Sequence, residues 1–282
     1  MTTVSAQRPS DAYALARTPQ EYERLRAQSR VWEPATSRLF DQVGLAAGAS
    51  CLDAGSGPGE TMRLMAQRVG PAGRVTGIDL DAPLGAQALT MLHNAGHRQC
   101  RFIPCDLTAE QPISGAPFDL VYSRLLLYHL PQRVAVLRRL WDAVAPGGHL
   151  LIQDYDIRSV GVTPPLDSLE QLRRVIVEAF SVAGCDVQIG ARLPELFAQA
   201  GIGAPDGTDV SGRLEPLADA ERMLSGVYRS VLSTAIAHGI TTQPQGAATL
   251  SEFADDVERF PTRSTLWPLM IGAWKRKPEG LA

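Results

Sequence analysis

The sequence lacks the features of several specialised protein classes. Its four cysteines (Cys51, Cys100, Cys105 and Cys185) form no CxxC pair, and no histidine stands at a spacing that would complete a zinc site. We therefore expect reduced thiols. No run of Lys and Arg is long enough to follow a phosphate backbone, and the formal net charge is -3, which disfavours a nucleic-acid partner.

Long apolar runs are absent as well. None approaches the roughly 18 residues that a membrane-spanning helix needs, and the N-terminal stretch MTTVSAQRPS has neither the basic nor the apolar part of a secretory signal. We expect a cytoplasmic protein with no membrane partner. The 282 residues, 45% of them hydrophobic, can bury one α/β core and still carry extra helices.

Strand-like and helix-like segments alternate in the first half of the chain. Strands are predicted at residues 49–54, 74–80, 101–104, 119–123 and 150–153, and helices at 60–69, 86–95 and 133–144. This alternation predicts a parallel sheet with helices on both faces. A helical segment from Pro19, broken at Pro34, precedes it.

The alternation stops after residue 156. Helices are predicted at residues 166–183, 193–200, 217–237 and 247–259, a weak strand at 208–210 and a final strand at 266–275. We therefore expect a helical lid (1–35), a core (36–156), a helical cap (157–189), a continuation of the core (190–213), a second cap (214–262), and a last core strand with a tail (263–282).

A glycine-rich turn follows the first predicted strand, at Gly55-Ser56-Gly57-Pro58-Gly59. Glycine permits the tight fold from strand to helix and lets a ligand approach the backbone. The third glycine comes one position earlier than in the GxGxxG pattern of NAD- and FAD-binding proteins. By itself the turn is also compatible with an ordinary strand-to-helix connection.

Acidic residues end the next two predicted strands. Asp79 lies twenty residues after Gly59, where a carboxylate can accept hydrogen bonds from both hydroxyls of an unphosphorylated ribose. Asp106, at the end of the third strand, can accept a hydrogen bond from an adenine amine, with backbone N–H groups near Leu107 meeting the ring nitrogens; a helix N-cap is the alternative. Asp81 is predicted to be solvated.

At this point the sequence resembles the class I S-adenosylmethionine-dependent methyltransferases. The resemblance is carried, in order, by LDAGSGPGE at residues 52–60, GIDLD at 77–81, PCDLTA at 104–109, FDLVYSRLLLYHLPQ at 118–132 and APGGHLLIQDYD at 145–156. Within this family, the sequence most resembles the small-molecule enzymes of the ubiquinone/menaquinone C-methyltransferase group. It implies an α/β, Rossmann-like, doubly wound sheet of seven strands, with the last strand antiparallel, and a helical lid and cap.

The resemblance also implies a cofactor, S-adenosyl-L-methionine, and roles for single residues. Asp53 would hold the methionine end, Ser123 and Arg124 would close over it with backbone atoms, and Gln28 on the lid would reach its carboxylate. The full predicted cofactor site comprises Gln28, Asp53, Gly55, Ser56, Gly57, Gly59, Asp79, Leu80, Asp106, Leu107, Ser123 and Arg124.

Catalytic residues are less clearly marked. His129 can serve as a general base for a phenol or amine acceptor, although a structural role is the alternative, and Tyr128 beside it either lines the pocket or packs. Asp154 and Asp156 after the fifth strand are expected to be solvated loop carboxylates; contact with the substrate or orientation of a base is the alternative. No third oxygen ligand stands near them, so no metal is predicted.

Aromatic and apolar residues on the later helices fit either a pocket wall or the core. We favour the core for Phe180, Met223, Tyr228 and Phe253, and packing against the sheet for Trp141, Trp267 and Trp274.

The predicted activity is methyl transfer from S-adenosylmethionine to oxygen, carbon or nitrogen of a small acceptor, such as a secondary metabolite. An NAD-linked oxidoreductase and a non-catalytic S-adenosylmethionine-binding partner subunit are the alternatives. The sequence leaves a monomer and a homodimer open.

Overall fold

The computed structural model describes residues 19–279. Its strands are β1 (Ser50–Ala54), β2 (Arg74–Asp79), β3 (Cys100–Pro104), β4 (Phe118–Arg124), β5 (Val144–Asp156), β6 (Gly161–Thr163), β7 (Gly207–Ser211), β8 (Leu214–Pro216), β9 (Ser264–Leu266) and β10 (Leu269–Arg276). Seven of them form the main sheet, in the order β3-β2-β1-β4-β5-β10-β7. Strand β10 runs antiparallel to both neighbours. The predicted seven-stranded, Rossmann-like sheet with an antiparallel last strand is confirmed.

Helices cover both faces of this sheet. They are α1 (Pro19–Val31), α2 (Glu33–Gln42), α3 (Glu60–Val69), α4 (Ala82–Asn94), α5 (Arg133–Asp142), α6 (Asp167–Val182), α7 (Ile189–Gln199), α8 (Leu217–Ala237) and α9 (Gln243–Arg259). Successive residues of a strand point to opposite faces, and β4 shows this clearly. Tyr122 packs in one buried cluster with α2 and α3, whereas Val121 packs in the other with α5, α6 and α7.

The C-terminal strand differs from its prediction. The segment predicted as one strand over residues 266–275 is interrupted at Trp267 and Pro268. Proline cannot donate a ladder hydrogen bond, and here it separates two strands that belong to different sheets. Strand β9 lies between β6 and β8 in a second, three-stranded sheet, while β10 joins the main sheet. The small sheet was not predicted.

Several other elements extend beyond their predicted bounds, α4 and β5 among them. Helix α4 starts four residues early because the side chain of Asp81 accepts a hydrogen bond from Leu84 N at 3.0 Å and caps it; the prediction that Asp81 is merely solvated was wrong. Strand β5 extends to Asp156 because β10 pairs with it along that whole stretch. The division into lid, core and caps stays a prediction, and residues 1–18 of the lid lie outside the described residues.

Candidate functional site

A cavity of about 460 Å³ lies at the carboxyl ends of strands β1 to β4. The strand order reverses between β1 and β4, and ligands of open α/β sheets bind beside such a reversal. Helix α1 lies over the opening, where Tyr22 donates a hydrogen bond to the Asp81 carboxylate at 2.8 Å. The volume is typical of sites that enclose a small molecule.

The glycine turn forms one wall of this cavity. Gly55 and Gly57 have φ values of 75° and 47°, in the left-handed region that favours glycine. A Cβ on Gly55 would lie 3.0 Å from the side chain of Leu126. Gly55 N and Ser56 N both donate to the carbonyl of Ile78, at 2.9 and 3.0 Å, so the end of β2 fixes the turn.

Two polar atoms on this wall are buried and have no hydrogen-bond partner: Oδ2 of Asp53 and Oγ of Ser56. Both residues line the cavity. Burial raises the pKa of Asp53 to about 7, against the opposing effect of the positive charge of Arg124. Buried polar groups normally find a partner, so these two atoms point to a polar ligand group at the end of β1.

Asp79 lies at the end of β2, as predicted. Its carboxylate accepts hydrogen bonds from Gly57 N and Asp81 N, each at 2.9 Å. Burial raises its pKa, and these backbone hydrogen bonds act in the opposite direction. The carboxylate therefore organises the glycine turn as well as lining the cavity.

Asp106 and Leu107 line the cavity at the end of β3. Asp106 accepts hydrogen bonds from the N–H and hydroxyl of Thr108, at 2.8 and 2.6 Å, so one of its oxygens closes a local turn. Three successive strand ends thus bring a carboxylate to one cavity.

Ten predicted cofactor residues line this cavity, and two do not. The ten are Gln28, Asp53, Gly55, Ser56, Gly57, Asp79, Leu80, Asp106, Leu107 and Arg124. Ser123 instead lies inside the sheet, where its hydroxyl donates to the carbonyl of Ala54 at 2.9 Å. Gly59, with φ of 80°, is the N-cap residue of α3, and a Cβ on it would meet Ala88 at 3.0 Å.

A buried polar network positions Arg124. Its Nη1 donates to Thr36 Oγ1 at 2.9 Å, and Thr36 donates to the amide oxygen of Gln153 at 2.8 Å. Tyr122 donates to the same oxygen at 2.6 Å. Thr36, Tyr122 and Gln153 come from three elements far apart in sequence, and no sequence signal connects them.

His129 lines the cavity, as expected for a candidate base. Its Nδ1 lies 3.7 Å from Cys185 Sγ, and its ring is 3.6 Å from that of Tyr128. Burial lowers the pKa of His129 to about 3, and the charge of Arg24 acts in the same direction. The imidazole is therefore neutral at pH 7 and a weak base. The catalytic assignments of His129 and Tyr128 stay predictions.

The residues after the fifth predicted strand are not solvated, contrary to prediction. Asp154 is fully buried within β5, and its carboxylate accepts from Tyr155 N at 3.0 Å and Tyr128 N at 3.3 Å. Burial raises its pKa to about 7. Asp156 is half-buried and pairs with Arg158 at 3.0 Å. The prediction failed because β5 is longer than its apolar run.

A second cavity, of about 70 Å³, adjoins the first, and Gln28 lines both. Phe180, Met223 and Trp267 contribute to its wall. Phe180 is at the same time a buried core residue, as predicted, and Met223 is partly buried against the same core cluster. Tyr228 and Phe253 are fully buried core residues, as predicted.

No helix within residues 19–279 is long and apolar enough to cross a membrane. That same part of the chain contains no group of three or more His, Cys, Asp or Glu side chains arranged to hold a metal ion.

The sheet order, the antiparallel β10 and the acidic strand ends around a glycine turn define the class I, Rossmann-like methyltransferase fold. A family model described as a methyltransferase domain matches residues 51–148. Residues 51–148 therefore match a methyltransferase domain, and the fold around them is that of the class I, S-adenosylmethionine-dependent enzymes.

Named relatives agree with this class. Trans-aconitate 2-methyltransferase of Paracidovorax citrulli is 35% identical over 141 residues, which cover 45% of this chain and 51% of that protein. Methyltransferase str3 of Strobilurus tenacellus is 33% identical over 156 residues, which cover 55% and 52%. The matched part thus spans about half the length of these curated relatives.

A solved structure shows the same fold. The crystal structure of a candidate methyltransferase from Bacillus halodurans superposes with a TM-score of 0.58 at 16% identity, covering 86% of this chain and 97% of that chain.

Proposed function

We propose that this protein transfers the methyl group of S-adenosylmethionine to a small organic acceptor. The observation that carries the proposal is the pair of unpartnered buried atoms, Asp53 Oδ2 and Ser56 Oγ. Both residues line the cavity, as Asp79 and Asp106 do. This donor and acceptor set fits a nucleoside joined to a charged amino-acid end.

Each part of the cavity fits one part of the cofactor. Asp53 and Gln28 would hold the methionine end, Asp79 the ribose hydroxyls, and Asp106 with the backbone at Leu107 the adenine. Carboxylates at the end of β2 select an unphosphorylated ribose. Residues of helix α1 line the cavity and would shield the bound cofactor from water.

When bound, the cofactor supplies an electrophilic methyl group on a sulfonium. In-line displacement needs the acceptor held close to that methyl in a site shielded from water. The second cavity adjoins the first at Gln28 and provides such a position. A general base is required only when the acceptor is protonated. The low pKa of His129 makes its imidazole a weak candidate for that base.

The acceptor belongs to small-molecule chemistry. One relative is named for trans-aconitate, and the apolar wall of the second cavity suits small organic acceptors, secondary metabolites among them.

Calorimetry with S-adenosylhomocysteine tests the proposal. Asp79→Asn should weaken binding about 10- to 100-fold, since a hydrogen bond to a charged group contributes about 1.5–3 kcal/mol. Asn keeps one oxygen for the backbone N–H groups, and circular dichroism checks the fold. The matched control is Asp119→Asn, because Asp119 is exposed and accepts from Ser50 N at 2.8 Å, outside the cavity. Equal affinity in Asp79→Asn and wild type would refute the ribose assignment.

Two further measurements, NADH binding and transfer of a tritiated methyl group, separate the alternatives. An NAD-linked oxidoreductase would bind NADH more tightly than S-adenosylhomocysteine. A non-catalytic partner subunit would bind S-adenosylhomocysteine but transfer no tritiated methyl group to any acceptor of a metabolite panel. The homodimer and the cytoplasmic location stay predictions, to be checked by sedimentation and by cell fractionation.

A further inference from the structure

Arg124 is a buried cation at the end of β4. The residue is 9% exposed and lines the cofactor cavity. A guanidinium carries several N–H donors, and within residues 19–279 one of them has a partner: Nη1 donates to Thr36 Oγ1 at 2.9 Å. That hydroxyl is neutral, so this hydrogen bond does not compensate the charge of Arg124. Burying a charge is costly unless an opposite charge balances it.

Asp53 lies on the neighbouring strand and on the same face of the sheet. It is in register with Tyr122, two residues before Arg124, and side chains two residues apart on a strand share a face. The charge of Arg124 opposes the rise in the pKa of Asp53. The two side chains nevertheless form no ion pair, and within the described residues Asp53 Oδ2 has no hydrogen-bond partner.

A guanidinium and a carboxyl group that are not paired with each other thus line one cavity, at the ends of adjacent strands. A ligand that carries both a carboxylate and an ammonium satisfies both groups. The amino-acid end of S-adenosylmethionine has this composition, with the ammonium beside Asp53 and the carboxylate beside Arg124. Guanidinium–carboxylate pairs are among the strong polar contacts, because two parallel hydrogen bonds accompany the charge.

A buried network fixes the guanidinium before a ligand binds. Thr36, which accepts from Arg124, donates to the amide oxygen of Gln153 at 2.8 Å, and Tyr122 donates to the same oxygen at 2.6 Å. All three network residues are fully buried. Because Nη1 of Arg124 is held in this way, less conformational entropy is lost when a carboxylate binds to the rest of the guanidinium.

Gln28 contributes less to the binding of such a carboxylate. Its amide oxygen accepts from Arg24 Nη1 at 3.2 Å, and its Nε2 donates to the hydroxyl of Tyr155 at 3.0 Å. A single neutral N–H of the amide remains for a ligand. Hydrogen bonds from a charged donor are about twice as strong as those from a neutral one, so Arg124 is the stronger carboxylate ligand.

We propose that the side chain of Arg124 binds the carboxylate of the methionine end, and that Arg124 and Asp53 together make the site specific for nucleosides that carry a complete amino acid. This inference rests on the proposed function and deepens it, because the resemblance assigned only backbone atoms of Arg124 to the cofactor. Thr36 is a positioning residue, which acts through Arg124.

Calorimetry with two nucleosides tests the inference without turnover. The first is S-adenosylhomocysteine, and the second is its decarboxylated analogue, in which hydrogen replaces the carboxylate and the ammonium is kept. We expect the wild-type protein to bind S-adenosylhomocysteine about 10- to 100-fold more tightly, the range for hydrogen bonds to a charged group. The ratio of the two affinities is the readout, because a general defect of the cavity would lower both affinities together.

Four variants identify the group that binds the carboxylate. Arg124→Gln should bring the ratio to about threefold or less while the analogue binds nearly as in wild type. Arg124→Lys keeps the charge but not the forked geometry and should restore part of the ratio. Thr36→Val keeps the side-chain shape and should lower the ratio about 3- to 10-fold. The control Arg74→Gln should keep the wild-type ratio, since Arg74 is exposed at the start of β2, donates to Ser50 Oγ at 2.8 Å and lines neither cavity.

The outcomes are distinct. The inference is overturned if wild type binds both nucleosides equally, if Arg124→Gln keeps the wild-type ratio, or if Gln28→Leu lowers the ratio more than Arg124→Gln does. Should Arg124→Gln bind neither nucleoside, Thr36→Val decides, and an unchanged ratio in that variant overturns the inference. Failure of S-adenosylhomocysteine to bind the wild-type protein would instead overturn the proposed function.

Discussion

Asp53 is a carboxylate held inside the protein at a cost to stability. It is 2% exposed, and its Oδ2 has no hydrogen-bond partner. Burial raises its pKa from 3.8 to about 7. Each pH unit of difference in pKa corresponds to about 1.4 kcal/mol, so this difference corresponds to about 4 kcal/mol.

The sign of the effect follows from proton binding. Between pH 4 and 7 the folded protein holds a proton on Asp53 that the unfolded chain has released, so the folded state binds more protons. The free energy of unfolding therefore falls as the pH rises through this range. We expect Asp53→Asn, which carries no charge, to be up to about 4 kcal/mol more stable than wild type at pH 8 and nearly equal to it at pH 4.

Urea unfolding at pH 4, 6 and 8 measures this difference. Asp154→Asn is the matched comparison, because burial raises the pKa of Asp154 to about 7 as well. Its carboxylate accepts two backbone N–H groups, from Tyr155 and Tyr128, and an amide keeps only one acceptor oxygen. Asp154→Asn should therefore gain less than Asp53→Asn at pH 8.

Binding of the cofactor should shift Asp53, but not Asp154, back toward its ionised form. A cationic ligand group beside Asp53 favours the ionised carboxylate, so binding near pH 7 should release a proton. Calorimetry in buffers of different ionisation enthalpy detects this release, and Asp53→Asn should lose it. The reasoning fails if Asp53→Asn is less stable than wild type at pH 8, or if both proteins release the same number of protons.

Two further predictions concern the fold and the cavity. Gly190→Ala should lower the free energy of unfolding by about 1–3 kcal/mol or more, because the new Cβ would lie 2.5 Å from the carbonyl oxygen of Asp154. Thermal unfolding measures this loss. The control Gly161→Ala should change it little, because no atom lies within 4 Å of the new Cβ. Among the described cysteines, Cys105 lines the cofactor cavity and is the one that is not buried. Iodoacetamide should therefore label Cys105 first, and S-adenosylhomocysteine should slow that labelling. If the ligand leaves the labelling of Cys105 unchanged, the placement of the site is contradicted.

The local sequence determined the strand, turn and helix units and the position of the cofactor site. Helices α3 and α8 have the bounds that periodicity and flanking residues predicted, and the glycine turn lies where strand β1 ends. Because the carboxyl ends of parallel strands meet at one edge of a sheet, Asp53, Asp79 and Asp106 could be assigned to one site from the chain order alone.

The tertiary structure decided which residues are buried and which cavity they face. Asp154 resembles a loop carboxylate in sequence, but pairing of β5 with β10 extends the strand and buries it. Arg24 and Thr265 lie 241 positions apart and line one wall only because α1 and β9 both pack against α8. The periodicity of a segment reports which face is apolar. It carries no information about which distant segment covers that face, and burial, pKa and the choice of acceptor depend on that segment.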